Sequence, residues 1–335
     1  MKNKYVMAIL ILMLCGTTDV LATANCPNGT TENVDCWSCG ETCTAVLKNG
    51  QMTISGEGNM NAYYWTGSSP NRVTTAPWKT KIDDIESLVI EEGIEDIGYA
   101  AFCGTKIKDL ELPTSVKTIN RYAFMDGSLG SVNTLKNLSS IESGAFYLTN
   151  LKSVDLPDNL TVINGDVFTG TDLVTIDIPD TVTSIGNHTF QICDKLTDIT
   201  IPDSVTSIGA YAFSGDENLI NLVIPDTVEE IKANAFNGVN ITNLKISADN
   251  LEMYLNTGGA FRESSGIVCT SGNCQKVIED FDKKNGTNYK YYTNICPTQE
   301  ACGKFKPMRK SIRIYTIDEA NQVAGKINRV SIRYK

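Results

Sequence analysis

Histidine is almost missing: among 335 residues there is one, His188. Metal centres built from several imidazoles are therefore excluded, and histidine-based catalysis has a single candidate. Basic residues are in deficit, 29 Lys and Arg against 39 Asp and Glu, for a formal charge of −10. Nucleic-acid binding needs a basic face for the phosphates, so this balance argues against it. The sequence has no phosphate-binding glycine loop, dinucleotide fingerprint, kinase signature or metalloprotease histidine pair. No cofactor and no metal are expected. What the chain does have is 41% hydrophobic residues, enough for a sizeable core and too many for wholesale disorder.

Eleven cysteines are many. Lys2 and Lys4 precede an apolar stretch from Tyr5 to Leu14, and Ala22-Thr23-Ala24 gives the small-x-small pattern that a signal peptidase reads. The apolar stretch is well short of the ~20 residues that span a bilayer. Residues 1–24 are thus expected to be a signal peptide, and the mature chain to be secreted or held at the cell surface without a transmembrane anchor. Ten cysteines follow, an even number that suits a disulfide framework in an exported protein. The disulfide candidates are Cys26, Cys36, Cys39 and Cys43 at the front and Cys269, Cys274, Cys296 and Cys302 at the back. Cys36-Trp37-Ser38-Cys39 has redox spacing, but the neighbouring Cys26 and Cys43 favour structural disulfides. Cys103 and Cys193 are expected to be buried free thiols.

The middle of the chain repeats. Phe102, Phe124, Phe146, Phe168, Phe190, Phe213 and Phe236 are spaced by 22 or 23 residues. An aliphatic recurs five positions before each (Ile97 to Ile231) and another eight before (Ile94 to Val228). Short alternating runs such as Ile199-Thr200-Ile201-Pro202 precede them and read as strands that end at the proline. One such unit cannot bury its own apolar side, whereas stacked units share a continuous core, so the repeat predicts a solenoid with a buried column of phenylalanines. The unit ending at Phe146 lacks the proline and carries an extra Gly127-Ser128-Leu129-Gly130 loop, which predicts a distorted coil. Phe261 is expected to close a last, degenerate unit.

Units such as Leu196 to Phe213 resemble the BspA-like class of leucine-rich repeats of surface and secreted proteins of host-associated microbes. Cys39-Gly40, Gly50 to Met60 and Ala76-Pro77-Trp78 resemble that family's amino-terminal capping segment. The resemblance implies a β-rich solenoid, a parallel β stack with short connecting turns and helical segments, capped at both ends. It also implies adhesion to proteins or surfaces. The expected division is a signal peptide (1–24), a cysteine-rich cap (25–84), the solenoid (85–262), a disulfide-pinned cap (263–303) and a small strand-helix-strand module (304–335).

On a parallel sheet, the residues between the buried strand positions face outward. Two outward columns result, Val89, Glu111, Asp155, Asp177, Thr200, Val223 and Lys245, and Ser87, Asp109, Ser153, Thr175, Asp198, Asn221 and Asn243. Asp109, Glu111, Asp155, Asp177, Asp198, Thr200 and Asn221 form the candidate ligand-binding face, an acidic ribbon suited to a cationic or hydroxyl-rich partner. A solvated face that merely keeps the protein soluble is the competing reading. His188 shares its place in the repeat with Ala100, Tyr122, Gly144, Asp166, Tyr211 and Asn234. That variety predicts an exposed position and no catalytic residue.

Residues 304–335 carry nine basic residues against Asp318 and Glu319. Such asymmetry often marks a segment with its own partner; an anionic envelope surface, a sorting or docking role and docking on the acidic solenoid are the readings it leaves open. The expected function is non-catalytic binding of a protein or glycoprotein on a host or neighbouring cell. An envelope scaffold without external ligand and, more remotely, a carbohydrate-active hydrolase are the alternatives.

Overall fold

The computed structural model describes residues 29–31, 34–69, 71–133, 135–286, 290–292 and 311–316. Residues 1–24, Cys26, Cys296, Cys302 and the helix and second strand expected after residue 316 lie outside the described residues.

Three sides make up each coil. On the first, strands Gln51–Ser55, Ser87–Ile90, Asp109–Glu111 and Ser131–Asn133 run parallel, with Met52, Leu88, Leu110 and Val132 in register. The alternation in the sequence turns these four side chains inward, where all are buried. An antiparallel meander, Val34–Ser38 and Thr44–Lys48, extends this sheet at the front. The second side is built from two-to-four-residue strands around the recurring isoleucine, such as Ile94–Ile97, Thr118–Ile119 and Ser140–Ile141. The aliphatics five and eight positions before each phenylalanine are buried in every repeat.

The third side is a row of turns with its own hydrogen-bond ladder. The amide of each phenylalanine donates to a carbonyl of the next coil, from Phe102 to Ala123 through Phe213 to Ala235, at 2.8–3.1 Å. Two residues per coil adopt left-handed backbone here. Ala100, Tyr122, Gly144, Asp166, His188, Tyr211 and Asn234 have φ between 49° and 68°, and Gly104, Asp126, Leu148, Gly170, Ile192, Gly215 and Gly238 form the second set. Behind these turns the seven phenylalanines stack as predicted, with centroids 5.2–6.0 Å apart and planes within 15°.

Two features differ from the sequence expectation. Strand ladders do not run through every repeat: between Ser131–Asn133 and Asp198–Thr200 the first sheet is reduced to one bridge, Val132 to Val154. The second sheet also divides, between Ser140–Ile141 and Val162–Ile163. Both interruptions follow the irregular unit with its extra 127–130 loop, which offsets the coil that comes next. Tyr254, on a helix the sequence reading did not expect, is the next ring on the column after Phe236. Ser247 caps a helix, Ala248–Asn256, by accepting the Asn250 amide, and this helix lays Tyr254 on Phe236 at 5.1 Å. Phe261 instead sits in a ten-residue strand, Ala260–Cys269, opposite Ile241.

That long strand continues the first sheet past residue 262, and Ser311–Thr316 pairs with it in parallel, with Lys290–Tyr292 outside. The helix Cys274–Asn285 follows, with Ile278 buried and Val277 and Phe281 against the core. Disulfides join Cys39 to Cys43 and Cys269 to Cys274, and Cys36 is disulfide-bonded as well. Cys39 is thus paired with Cys43 and not with Cys36, which removes the redox reading of Cys36-Trp37-Ser38-Cys39. Cys103 and Cys193 are free and buried. Burial pushes the Cys103 thiol up to about 12 and that of Cys193 up as well, so both stay protonated and unreactive.

A buried carboxyl accompanies Cys193. Asp216 is fully buried, and its Oδ1 accepts the Cys193 amide at 2.8 Å while Oδ2 has no partner among the described residues. Burial pushes this carboxyl well above the usual carboxylate range. A proton held more tightly in the folded than in the unfolded chain makes stability fall as pH rises beyond the ordinary carboxylate range. Asp216→Asn keeps the acceptor and removes the charge. It is expected to exceed the parent in stability at pH 7, where the parent's unfolded chain has released the proton that its folded chain holds. That advantage should vanish near pH 3, where both chains of the parent's equilibrium carry a protonated carboxyl. Urea unfolding at the two pH values checks it, and a pH-independent difference would refute it.

Candidate functional site

The outward positions of the first sheet are where the alternation puts them. Asp109, Glu111, Asp155, Asp177, Asp198 and Thr200 are exposed and Asn221 is half-buried. Register pairing aligns Asp109 with Ser131, Glu111 with Asn133, Asp198 with Asn221 and Thr200 with Val223. Ser131 therefore completes one column in the irregular coil, and Asn133 takes the register place beside Glu111. The sequence reading passed over them because that coil lacks the proline that marks the other strands.

These residues are not chemically equivalent. Ser131 Oγ donates to Asp109 Oδ1 at 2.5 Å. Asp198 accepts from Asn221 and, at 2.6 Å, from Thr197, and Asn221 in turn accepts from Asn243 Nδ2 at 2.6 Å. Asp109, Asp198 and Asn221 are thus tied into side-chain ladders along the sheet, the cross-strand pairing that stabilises such faces. Asp155 and Asp177 are different: they stand on the two coils where the strand ladder is interrupted, and no side-chain hydrogen bond occupies them among the described residues. The structure therefore divides the ribbon into two hydrogen-bonded ends and an acidic middle open to solvent.

His188 does not sit where the sequence reading put it. Its position in the coil is half-buried in the turn row, with left-handed backbone in all seven coils. The sequence variety reflects a backbone demand, not exposure, since Gly, Asn and Asp tolerate this conformation best. His188 Nδ1 meets Gln191 Oε1 at 2.8 Å, and its ring lies parallel to Tyr211 at 5.0 Å. Gln191 thus takes the nitrogen that the carboxylate of a catalytic triad would orient. Among the described residues no group of three or more His, Cys, Asp or Glu side chains is arranged to hold a metal ion. Among the same residues no helix is long and apolar enough to cross a membrane.

The repeat geometry agrees with comparisons to known proteins. The chain is similar to a leucine-rich repeat protein of Eubacterium ventriosum, at 21% identity over 71% of this chain and 73% of that one, with a TM-score of 0.51. It is also similar to the Treponema pallidum leucine-rich repeat protein, at 21% identity over 63% and 89%, TM-score 0.43. A third likeness, to a leucine-rich cell surface protein of Faecalibacterium prausnitzii, has 18% identity over 83% and 95%, TM-score 0.33. No curated protein matches the sequence. The model of the BspA-type leucine-rich repeat region matches in six copies, over residues 80–197 and 183–268. With more than half its length matched, a ring column at the same period and three-sided coils around it, the chain belongs to the BspA-type leucine-rich repeat family.

Proposed function

We propose that this protein is exported and, at the cell surface or beyond it, binds a protein or glycoprotein of a host or neighbouring cell without catalysis. The observation that carries the reading is the acidic middle of the sheet face, where Asp155 and Asp177 are exposed and unengaged between two hydrogen-bonded ends. Solenoids present such extended faces to partners. Carboxylates free of intramolecular bonds offer charge to a basic or hydroxyl-rich surface at no cost in broken contacts. We retain the five-part division as part of this proposal, with residues 304–335 associating with an anionic envelope surface through their nine basic side chains.

The test is binding of the protein lacking residues 1–24 to extracellular-matrix proteins, mucins and glycoproteins, alongside a variant with Asp155→Asn and Asp177→Asn. These two positions are cleaner probes than Asp198, whose change would also break the ladder to Asn221. Saturable binding that weakens about tenfold or more in the variant, a loss of about 1.4 kcal/mol, is the expected result. Binding unaffected by the double change would move the site off the sheet face.

A further inference from the structure

We propose that the turn row carries a second binding site, a groove centred on Asp166 and His188 that takes a neutral, hydroxyl-rich ligand of the oligosaccharide class. It lies away from the sheet face and does not depend on the proposal above.

The groove has a volume of about 430 Å³ and is lined by Asp166, Ser184, Asn187, His188, Ser207 and Lys232. The position after the buried isoleucine holds Gly98, Asn120, Glu142 and Asn164 in earlier coils and Gly186 and Gly209 here, and Lys232 closes the row. Without side chains the coils meet backbone to backbone. A Cβ on Gly186 would stand 2.5 Å from the Gly165 nitrogen, and one on Gly209 2.4 Å from the Gly186 carbonyl carbon. The floor is therefore peptide and the walls are polar.

Unspent hydrogen-bonding capacity converges on this floor. Asp166 is half-buried, and its carboxylate makes no hydrogen bond among the described residues. Burial pushes it above the usual carboxylate range, against the opposing charge of His188. A carboxylate with no donor from its own chain can accept a ligand hydroxyl without breaking a bond. An amide oxygen only accepts, so His188 Nδ1 carries a hydrogen toward Gln191 Oε1, and Nε2 is engaged by no side chain among the described residues. Asn187 Oδ1 accepts the Ala210 amide at 2.8 Å, which leaves its NH2 to donate.

The mixture selects the ligand class. Asp166 repels an anion. No third His, Cys, Asp or Glu joins Asp166 and His188 to hold a metal ion among the described residues, and Lys232 opposes a cationic side chain. A ligand with closely spaced hydroxyls, donors and acceptors together, meets these groups, and its apolar face can pack against the edges of the stacked His188 and Tyr211 rings. Toward the front of the solenoid the same column offers Tyr122, whose ring covers Gly144, and then Trp65 at 4.7 Å from it. Several sugar units in a row therefore find ring surface.

The single histidine makes the test direct, because its imidazole Hε1 signal has no counterpart in the protein. The purified protein is titrated with oligosaccharides of glucose, mannose, galactose and N-acetylglucosamine, and with an oligolysine peptide, while this signal is followed by NMR. The expected result is saturable displacement by at least one oligosaccharide, weakened about tenfold or more by Asp166→Asn. The Asp155→Asn and Asp177→Asn variant should bind the oligosaccharide as the parent does, which separates this site from the sheet face. Asparagine tolerates the left-handed backbone at residue 166, and unchanged circular dichroism confirms that the variant folds. No displacement by any of the four oligosaccharides, displacement by oligolysine alone, or binding indifferent to Asp166→Asn would each overturn the proposal.

Discussion

Trp78→Ala is expected to lower the stability of the protein by about 3–5 kcal/mol, the range for truncating a buried large aromatic. Trp78 is fully buried, stacks on Phe102 at 5.8 Å and meets the edges of Tyr63 at 5.3 Å and Trp37 at 6.2 Å. It also closes the turn-row ladder. Because alternate amides in that row donate toward the next coil, the first coil leaves three carbonyls open at the front. Tyr63 N serves the Tyr99 carbonyl at 2.9 Å, Thr74 N that of Cys103 at 3.2 Å, and Trp78 Nε1 that of Ala101 at 3.0 Å. Removing the indole opens a cavity and orphans a buried carbonyl together. Trp78→Phe separates the two effects, since a ring remains on Phe102 but the donor is gone. Its expected loss is about 1–3 kcal/mol, that of one unmet buried polar group. Urea unfolding followed by circular dichroism measures both, and a loss under about 1 kcal/mol for Trp78→Ala would show that the meander caps the stack without it.

The Arg72 and Asp126 pair shows a second way in which the front cap is held. Asp126 has a left-handed backbone and an almost wholly buried carboxylate, bonded to Arg72 at 3.4 Å, while Arg72 lies 5.6 Å over the Tyr147 ring. The sequence contained no sign of this, because the partners are more than 50 residues apart and the place of Asp126 in the other coils holds only Gly, Leu or Ile. By contrast, the solenoid itself was legible. A ring every 22 or 23 residues and two aliphatic columns can be satisfied only if successive coils bury them against one another. The interruptions of the sheets were not legible, because apolar alternation persists through Val154 and Ile176 and registers burial, not pairing. The Ala248–Asn256 helix escaped for a related reason: Phe261 extended the period numerically, while Tyr254 on an unpredicted helix took the stacking place. On the sheet face, composition identified the acidic columns. Only the register revealed that Asp109, Asp198 and Asn221 bond to neighbours and that Asp155 and Asp177 do not.

Those interruptions lead to the other large effect. Where the coils of Phe146 and Phe168 meet, one sheet contributes a single bridge and the other no ladder. The rings, 6.0 Å apart and 9° from parallel, carry the contact there, with the turn-row bonds from Phe146 N to Val167 O at 3.1 Å and from Leu148 N to Thr169 O at 2.8 Å. In a quasi-one-dimensional stack, stability is a sum of repeat and nearest-neighbour terms, so a defect at the thinnest junction uncouples what lies on either side. Phe168→Ala, besides costing about 3–5 kcal/mol, is expected to divide unfolding into two steps. The protein reports this by itself, because its three tryptophans, Trp37, Trp65 and Trp78, all precede the junction, whereas circular dichroism averages over both halves. In the parent the two signals should share one midpoint, and in Phe168→Ala they should separate. Phe213→Ala is the control. Phe213 sits among continuous ladders, Asp198–Thr200 with Asn221–Val223 on one side and Ser207–Ile208 with Glu230–Ile231 on the other. Its loss should lower stability as much while leaving the midpoints together. Coincident midpoints in Phe168→Ala would mean that the hydrogen bonds across the junction couple the halves, and that the ring column is filling and not link.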